Sequence, residues 1–183
     1  MKANLKKKII LSLALILCMV VSAMAVSAIL ETFYYQRGSS PVQFVIIRET
    51  WIPRSAFVLS AFPLAISAHI KYGENSFAIV DAEVRPFFDA LSSAEFLVVG
   101  AHGLDGSVSL DDGAFVGPAF TPKNDNLKFV YFGSCYLGKK RLDWERKYSE
   151  AEIVAYDGLT TPFRGWLFLF FEAPFKLFDL RIS

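Results

Sequence analysis

This sequence of 183 residues is poor in the two residue types that most often carry chemistry: it has two cysteines and two histidines. Cys18 falls inside a long apolar run, so Cys135 is the single thiol of the folded part and no internal disulfide can form there. His69 and His102 are far apart, and neither belongs to a CxxC or HExxH pattern, so no metal-ligand spacing exists. Basic character is also short. Setting aside Lys2, Lys6, Lys7 and Lys8, ahead of the apolar run, leaves 15 basic against 18 acidic residues. A net charge of −3 over the rest of the chain excludes a basic footprint for nucleic acid. Low-complexity tracts and internal repeats are missing as well, and a chain 54% hydrophobic is too apolar for disorder.

What is present starts at the N-terminus. Lys6-Lys7-Lys8 precede an apolar run from Ile9 to Leu30. Lysines hold their end in the cytoplasm and direct the following chain outward. The run reaches the roughly 20 residues that span a bilayer, which argues for a retained anchor with the domain outside the cytoplasm. Ala23-Met24-Ala25 is also an A-x-A cleavage pattern, which would release a secreted protein cut near Ala25. Residues 1–30 are therefore read as signal peptide or signal anchor. Residues 31–41, with Gly38, Ser39, Ser40 and Pro41, read as a linker, and residues 42–183 as one domain.

Within that domain, β-branched and apolar runs predict strands at Val42–Glu49, Phe77–Ala82, Phe96–Ala101, Leu127–Gly133 and Glu152–Gly158. Helices are expected over Ser55–Lys71 with an interruption at Pro63, over Val84–Glu95, and over Pro162–Phe178 with a break at Pro174. Lys139–Ser149 reads as a charged helix or loop. A hairpin is expected over Ser107–Val116, turning at Asp111-Asp112-Gly113. Strands apolar on both faces, alternating with helices, imply an α/β fold: a three-layer sandwich around a mostly parallel sheet of about five strands, preceded by an N-terminal hydrophobic helix.

In such sheets chemistry gathers at the carboxyl ends of the strands. Two of those ends carry it here: one strand runs into His102-Gly103, the other into Gly133-Ser134-Cys135. Neighbouring placement would let the imidazole accept the proton of the thiol. The Gly103 and Cys135 N–H groups could then face a developing oxyanion. Asp105 and Asp157 are possible orienting carboxylates by position. Each motif alone is commonplace: free cysteine is among the most buried residues, and His-Gly after a strand is usually a turn. Ser134 as nucleophile ranks low, since the GxSxG spacing is absent.

The stretches Asp81–Gly103, Leu104–Gly113 and Leu127–Gly138 together resemble the caspase-like cysteine peptidases, and within them the CHAT-type domains. That family pairs a strand ending in His-Gly with a strand ending in a small residue and Cys. The resemblance implies a His102/Cys135 dyad, peptide-bond hydrolysis through a thioester, a peptide or protein substrate, and no metal or organic cofactor. The chain after Cys135 is short for that family, which implies a reduced member. The alternative is a catalytically inactive, membrane-tethered interaction domain on the same fold, with Trp166, Phe168, Phe170 and Phe171 available for a partner.

Overall fold

The structure is a computed structural model and describes residues 2–35, 40–48 and 51–180. Gly38 and Ser39 of the expected linker and Glu49 of the first expected strand lie outside the described residues. Five parallel strands form the sheet: β1 (Val42–Ile46), β2 (Phe77–Asp81), β3 (Phe96–Gly100), β7 (Phe129–Phe132) and β8 (Glu152–Val154). Their order is β2-β1-β3-β7-β8. β1 to β3 and β7 have every residue buried or nearly so, because both faces of the sheet are covered. The sheet is all-parallel rather than mostly so. Between β3 and β7 the chain makes a separate antiparallel sheet of β4 (His102–Leu104), β5 (Ser107–Ser109) and β6 (Phe115–Val116).

Two apolar cores flank the main sheet. On one face Phe87, Leu91, Leu97, Val99, Phe132 and Trp144 pack together under α4 (Val84–Ser93) and α5 (Arg141–Lys147). On the other, Phe44, Ile79, Phe96, Phe129 and Tyr131 meet four helices. These are α2 (Trp51–Ser60), α3 (Phe62–Tyr72), α6 (Pro162–Leu167) and α7 (Ala173–Asp179). Pro63 separates α2 from α3, as its missing N–H requires, with Ala61 buried at the joint. Pro174 does not break the last helix. A π-helical turn at Phe168–Glu172 takes up the lost hydrogen bond and carries Phe168 onto Tyr131, ring centroids 3.8 Å apart.

α1 (Lys2–Tyr34) continues past residue 30 into the segment read as a linker. Leu11–Tyr34 is long and apolar enough to cross a membrane, with a mean hydropathy of 2.7. Its last turns belong to the domain. Ser27 is buried and donates to the Ser55 carbonyl at 3.3 Å. Glu31 pairs with Arg54 at 2.5 Å. Tyr34 meets Phe77 edge-on at 5.3 Å, and Tyr35 bridges Ile79. Arg54 reaches the Ile46 and Ile47 carbonyls at the carboxyl end of β1, whereas Phe77 opens β2 at its amino end. α1 therefore descends beside α2 from the carboxyl edge of the sheet toward its amino edge. Ala23 and Met24 are half-buried, and the exposed turns before them stand clear of the domain on the carboxyl side.

Candidate functional site at the carboxyl edge of the sheet

The chain leaves β1 for β2 at one edge and returns across it to β3, so the connections reverse direction between β1 and β3. That reversal usually opens a ligand crevice. Here it is filled. Asp111 donates its N–H to the Ala82 carbonyl at 2.7 Å and its carboxylate accepts from the Arg48 N–H at 2.9 Å. The residues singled out from sequence lie at the ends of the next pair of strands, β3 and β7.

After β3, Ala101 turns the chain into β4, so His102 opens a new strand instead of ending the old one. Gly103 sits in the middle of β4 and faces the loop that follows β7. A Cβ on Gly103 would collide with the Cys135 carbonyl and the Leu137 methyl, and would lie 2.9 Å from the Ser134 Cβ. Only glycine lets the two segments come this close. His102 and Leu104, one residue to either side, point away from that contact into solvent. The hairpin from β4 to β5 is closed by Asp105-Gly106, with φ of 49° and 80°, as a two-residue type I′ turn requires. This Asp-Gly pair was a readable signal. The expected hairpin over Ser107–Val116 is present too, with β5 and β6 paired antiparallel and Asp111-Asp112-Gly113 between them, so β5 is shared by two successive hairpins.

Cys135 is half-buried. Its sulfur accepts from the Thr160 N–H at 3.4 Å and donates to the Thr160 carbonyl at 3.7 Å. The next residue, Tyr136, has φ 56°, a conformation that a bulky side chain rarely adopts. Tyr136 is held there by its N–H to the Gly158 carbonyl at 2.9 Å, while its own carbonyl accepts from Gly106 at 3.0 Å. Backbone strain of this kind marks sites that the surrounding fold over-determines. Gly138 extends the same contact, donating to the Tyr156 carbonyl at 2.9 Å.

The two carboxylates considered from sequence have other neighbours. Asp105 is exposed and pairs with Lys139 at 3.2 Å. Asp157 packs against Gly138, where a Cβ would strike its Oδ1. Ser134 is 0% exposed, so its hydroxyl cannot meet a substrate from outside. Its Oγ and that of Thr160 are buried without a hydrogen-bond partner among the described residues, one on each side of Cys135 in the chain or in space. Beyond the small sheet lies an open groove of about 480 Å³, lined by Phe115, Pro118, Phe120, Lys140 and Lys147 among others. Among the described residues no group of three or more His, Cys, Asp or Glu side chains converges as a metal site would.

A second polar cluster, unseen in the sequence, lies at the β1–β2 end of the same edge. Asp81 closes β2 and is 4% exposed. It accepts from Arg48 at 2.5 Å, from the Tyr35 hydroxyl at 2.6 Å and from Arg54 at 3.1 Å. Burial opposes its charge, but hydrogen bonds from Arg48, Tyr35 and Arg54 outweigh that and hold the carboxyl below its ordinary value. The Asp81 hydrogen bond likewise raises the Arg48 guanidinium. A carboxylate in an apolar strand was a visible clue, but its partners lie 27 to 46 residues away.

Comparison of this chain with protein-family models, with curated proteins and with solved structures finds no match.

Proposed function

We propose that this protein is a membrane-anchored cysteine peptidase-like protein in which Cys135 is the nucleophile and His102 the base. The observation that carries this reading is the seating of Gly103 against the Cys135 carbonyl at the ends of neighbouring parallel strands. The Thr160 N–H on the sulfur and the strained Tyr136 support it. So does the resemblance of the His-Gly and Ser-Cys segments to caspase-like peptidases.

The chemistry follows from those groups. His102, exposed on the face of β4 turned away from the Gly103 contact, must swing toward Cys135 to take the thiol proton; the thiolate then adds to a peptide carbonyl carbon. The Gly103 and Cys135 N–H groups bind the oxyanion. The C–N bond breaks as imidazolium protonates the leaving amine, leaving a thioester. Water, deprotonated by the imidazole, adds to the thioester. The C–S bond breaks, giving a carboxylic acid and the restored thiol. α1 serves as a single-pass anchor that keeps the domain outside the cytoplasm.

The test is alkylation of Cys135 in the full chain carrying Cys18→Ser. The expected result is a rate above that of a model thiol, which falls about tenfold in His102→Ala. A rate equal to that of a model thiol, unchanged by the histidine substitution, would overturn the reading.

One observation favours a second reading, a tethered interaction domain without catalysis. Phe170, Phe171, Phe175 and Phe178 on the last helix, with Phe62, Ile66 and Ile70 on α3, are all exposed on adjoining helices. A patch of this kind is uncommon on a monomer that meets only water. Normal thiol reactivity together with loss of solubility-limited self-association on Phe171→Ser and Phe175→Ser would favour it.

A further inference from the structure

The way α1 joins the domain fixes which side of the domain meets lipid. This step rests on reading α1 as a retained anchor. Ser27 is buried against the domain and Glu31 is ion-paired, so hydrocarbon can hold only the turns before Ser27. Ile9 to Val26 extends about 27 Å at 1.5 Å per residue, close to the roughly 30 Å of a bilayer core. Lys6, Lys7 and Lys8 flank the far end. The bilayer surface then falls at Val26–Ser27, level with the start of α2 and the Arg54 guanidinium. That is the carboxyl edge of the sheet, the edge that carries Cys135.

The same edge has an apolar rim. Leu104 (58% exposed) shares a face of β4 with His102. Leu159 (77%) precedes Thr160, whose backbone holds the Cys135 sulfur. Phe163 (60%) stands in the first turn of α6. Single exposed apolar side chains mean little on a soluble surface. These three come from two separate segments, β4 and the stretch from Leu159 into α6, and lie on the side from which a membrane-length helix departs.

We propose that the carboxyl edge rests on the lipid headgroups, with Leu104, Leu159 and Phe163 in the interfacial layer. The Cys135 thiol is thereby presented to juxtamembrane polypeptide, the few residues of other membrane proteins that emerge from the bilayer. Freely diffusing peptide reaches it only through the narrow space between domain and lipid.

The experiment uses the full chain in phosphatidylcholine–phosphatidylglycerol vesicles, with Cys18 and Cys135 replaced by serine and one spin-labelled cysteine at a time. Oxygen against a water-soluble nickel chelate reports depth. Labels at Leu159→Cys and Phe163→Cys are expected in the interfacial layer, and labels at Asp125→Cys and Phe175→Cys in water. Aqueous labels at 159 and 163, with Val20→Cys in hydrocarbon, would overturn this placement and leave the anchor standing. An aqueous label at Val20 would overturn both. A lipid-facing label at Phe175 with aqueous ones at 159 and 163 would put the helical flank on the membrane and also overturn the proposal. A second measurement keeps the native thiol and tests it with a maleimide carried on a lipid headgroup. Relative to a water-soluble maleimide, Cys135 in Cys18→Ser is expected to react at least about tenfold faster than a cysteine at Asp125, through local concentration. An equal ratio at the two positions would overturn the proposal.

Discussion

Gly103 and Cys135 occupy adjoining backbone positions so close that glycine has no substitute at 103. Gly103→Ala is expected to push the Cys135 loop away and to cost on the order of 2 kcal/mol through overpacking. Gly158→Ala, where nothing lies within 4 Å of the added carbon, is the control and should change stability by less than about 0.5 kcal/mol. Urea midpoints of the two variants in detergent micelles check the difference. The alkylation rate of Cys135 should change in the first and not in the second.

Asp81 joins two arginines and a tyrosine drawn from three segments of the chain. Asp81→Asn keeps the shape and removes the charge, leaving a largely buried Arg54 with Glu31 as its one remaining carboxylate. The expected loss is on the order of 3 kcal/mol. Thermal unfolding of the full chain reads it. Glu31→Gln alone should cost less, since Arg54 then retains Asp81 and two strand-end carbonyls.

The same cluster sets an acid limit. Because the folded pKa of Asp81 lies below its ordinary value of 3.8, the unfolded chain binds the proton more readily there. The Asp81 contribution is complete above that value and disappears as pH falls through the lower, folded one. Asp111 has the opposite sign. Burial raises its pKa, so its ionised form disfavours folding, and protonation relieves this as pH falls. Urea midpoints followed from about pH 6 down to about pH 3 should fall in the wild type, and the fall should flatten in Asp81→Asn.

Trp144 is fully buried, and its indole N–H donates to the Gly106 carbonyl at 3.1 Å. That bond ties α5 to the turn of the β4–β5 hairpin. Trp144→Phe leaves the carbonyl without its partner and opens space beside Phe132 and Tyr148. The expected cost is about 2–4 kcal/mol. Hydrogen exchange should show the Gly106 turn losing protection before the main sheet does.

The strands were legible because each is a compact run of β-branched and aromatic residues with no polar face, which a doubly covered sheet demands. Their ends were less so. Ala82, Ala101 and Gly133 continue the apolar runs but leave the ladder to make turns and caps. β4 was missed because three residues, one of them glycine, carry no periodicity; pairing with β5 makes it a strand. The end of α1 was misplaced for a related reason. Glu31, Tyr34 and Tyr35 look like the polar exit from an apolar helix until Arg54, Phe77 and Asp81 are brought beside them. Cys135 could be singled out as the one thiol of the domain, but Thr160 could not be paired with it. Backbone atoms hold the sulfur, and a backbone leaves no residue-type signature.

Arg54 also decides where the fold begins. Trimming the chain to Val42 would keep every strand of the sheet and both cores. It would also strip away Glu31 and Tyr35, along with the Tyr34 ring that covers Phe77. The smallest unit that keeps its own electrostatic closure starts near Val26, inside the helix that looks from sequence like a detachable leader. The membrane-length helix and the α/β domain cannot be exchanged as modules, because the seam between them runs through the middle of a helix turn.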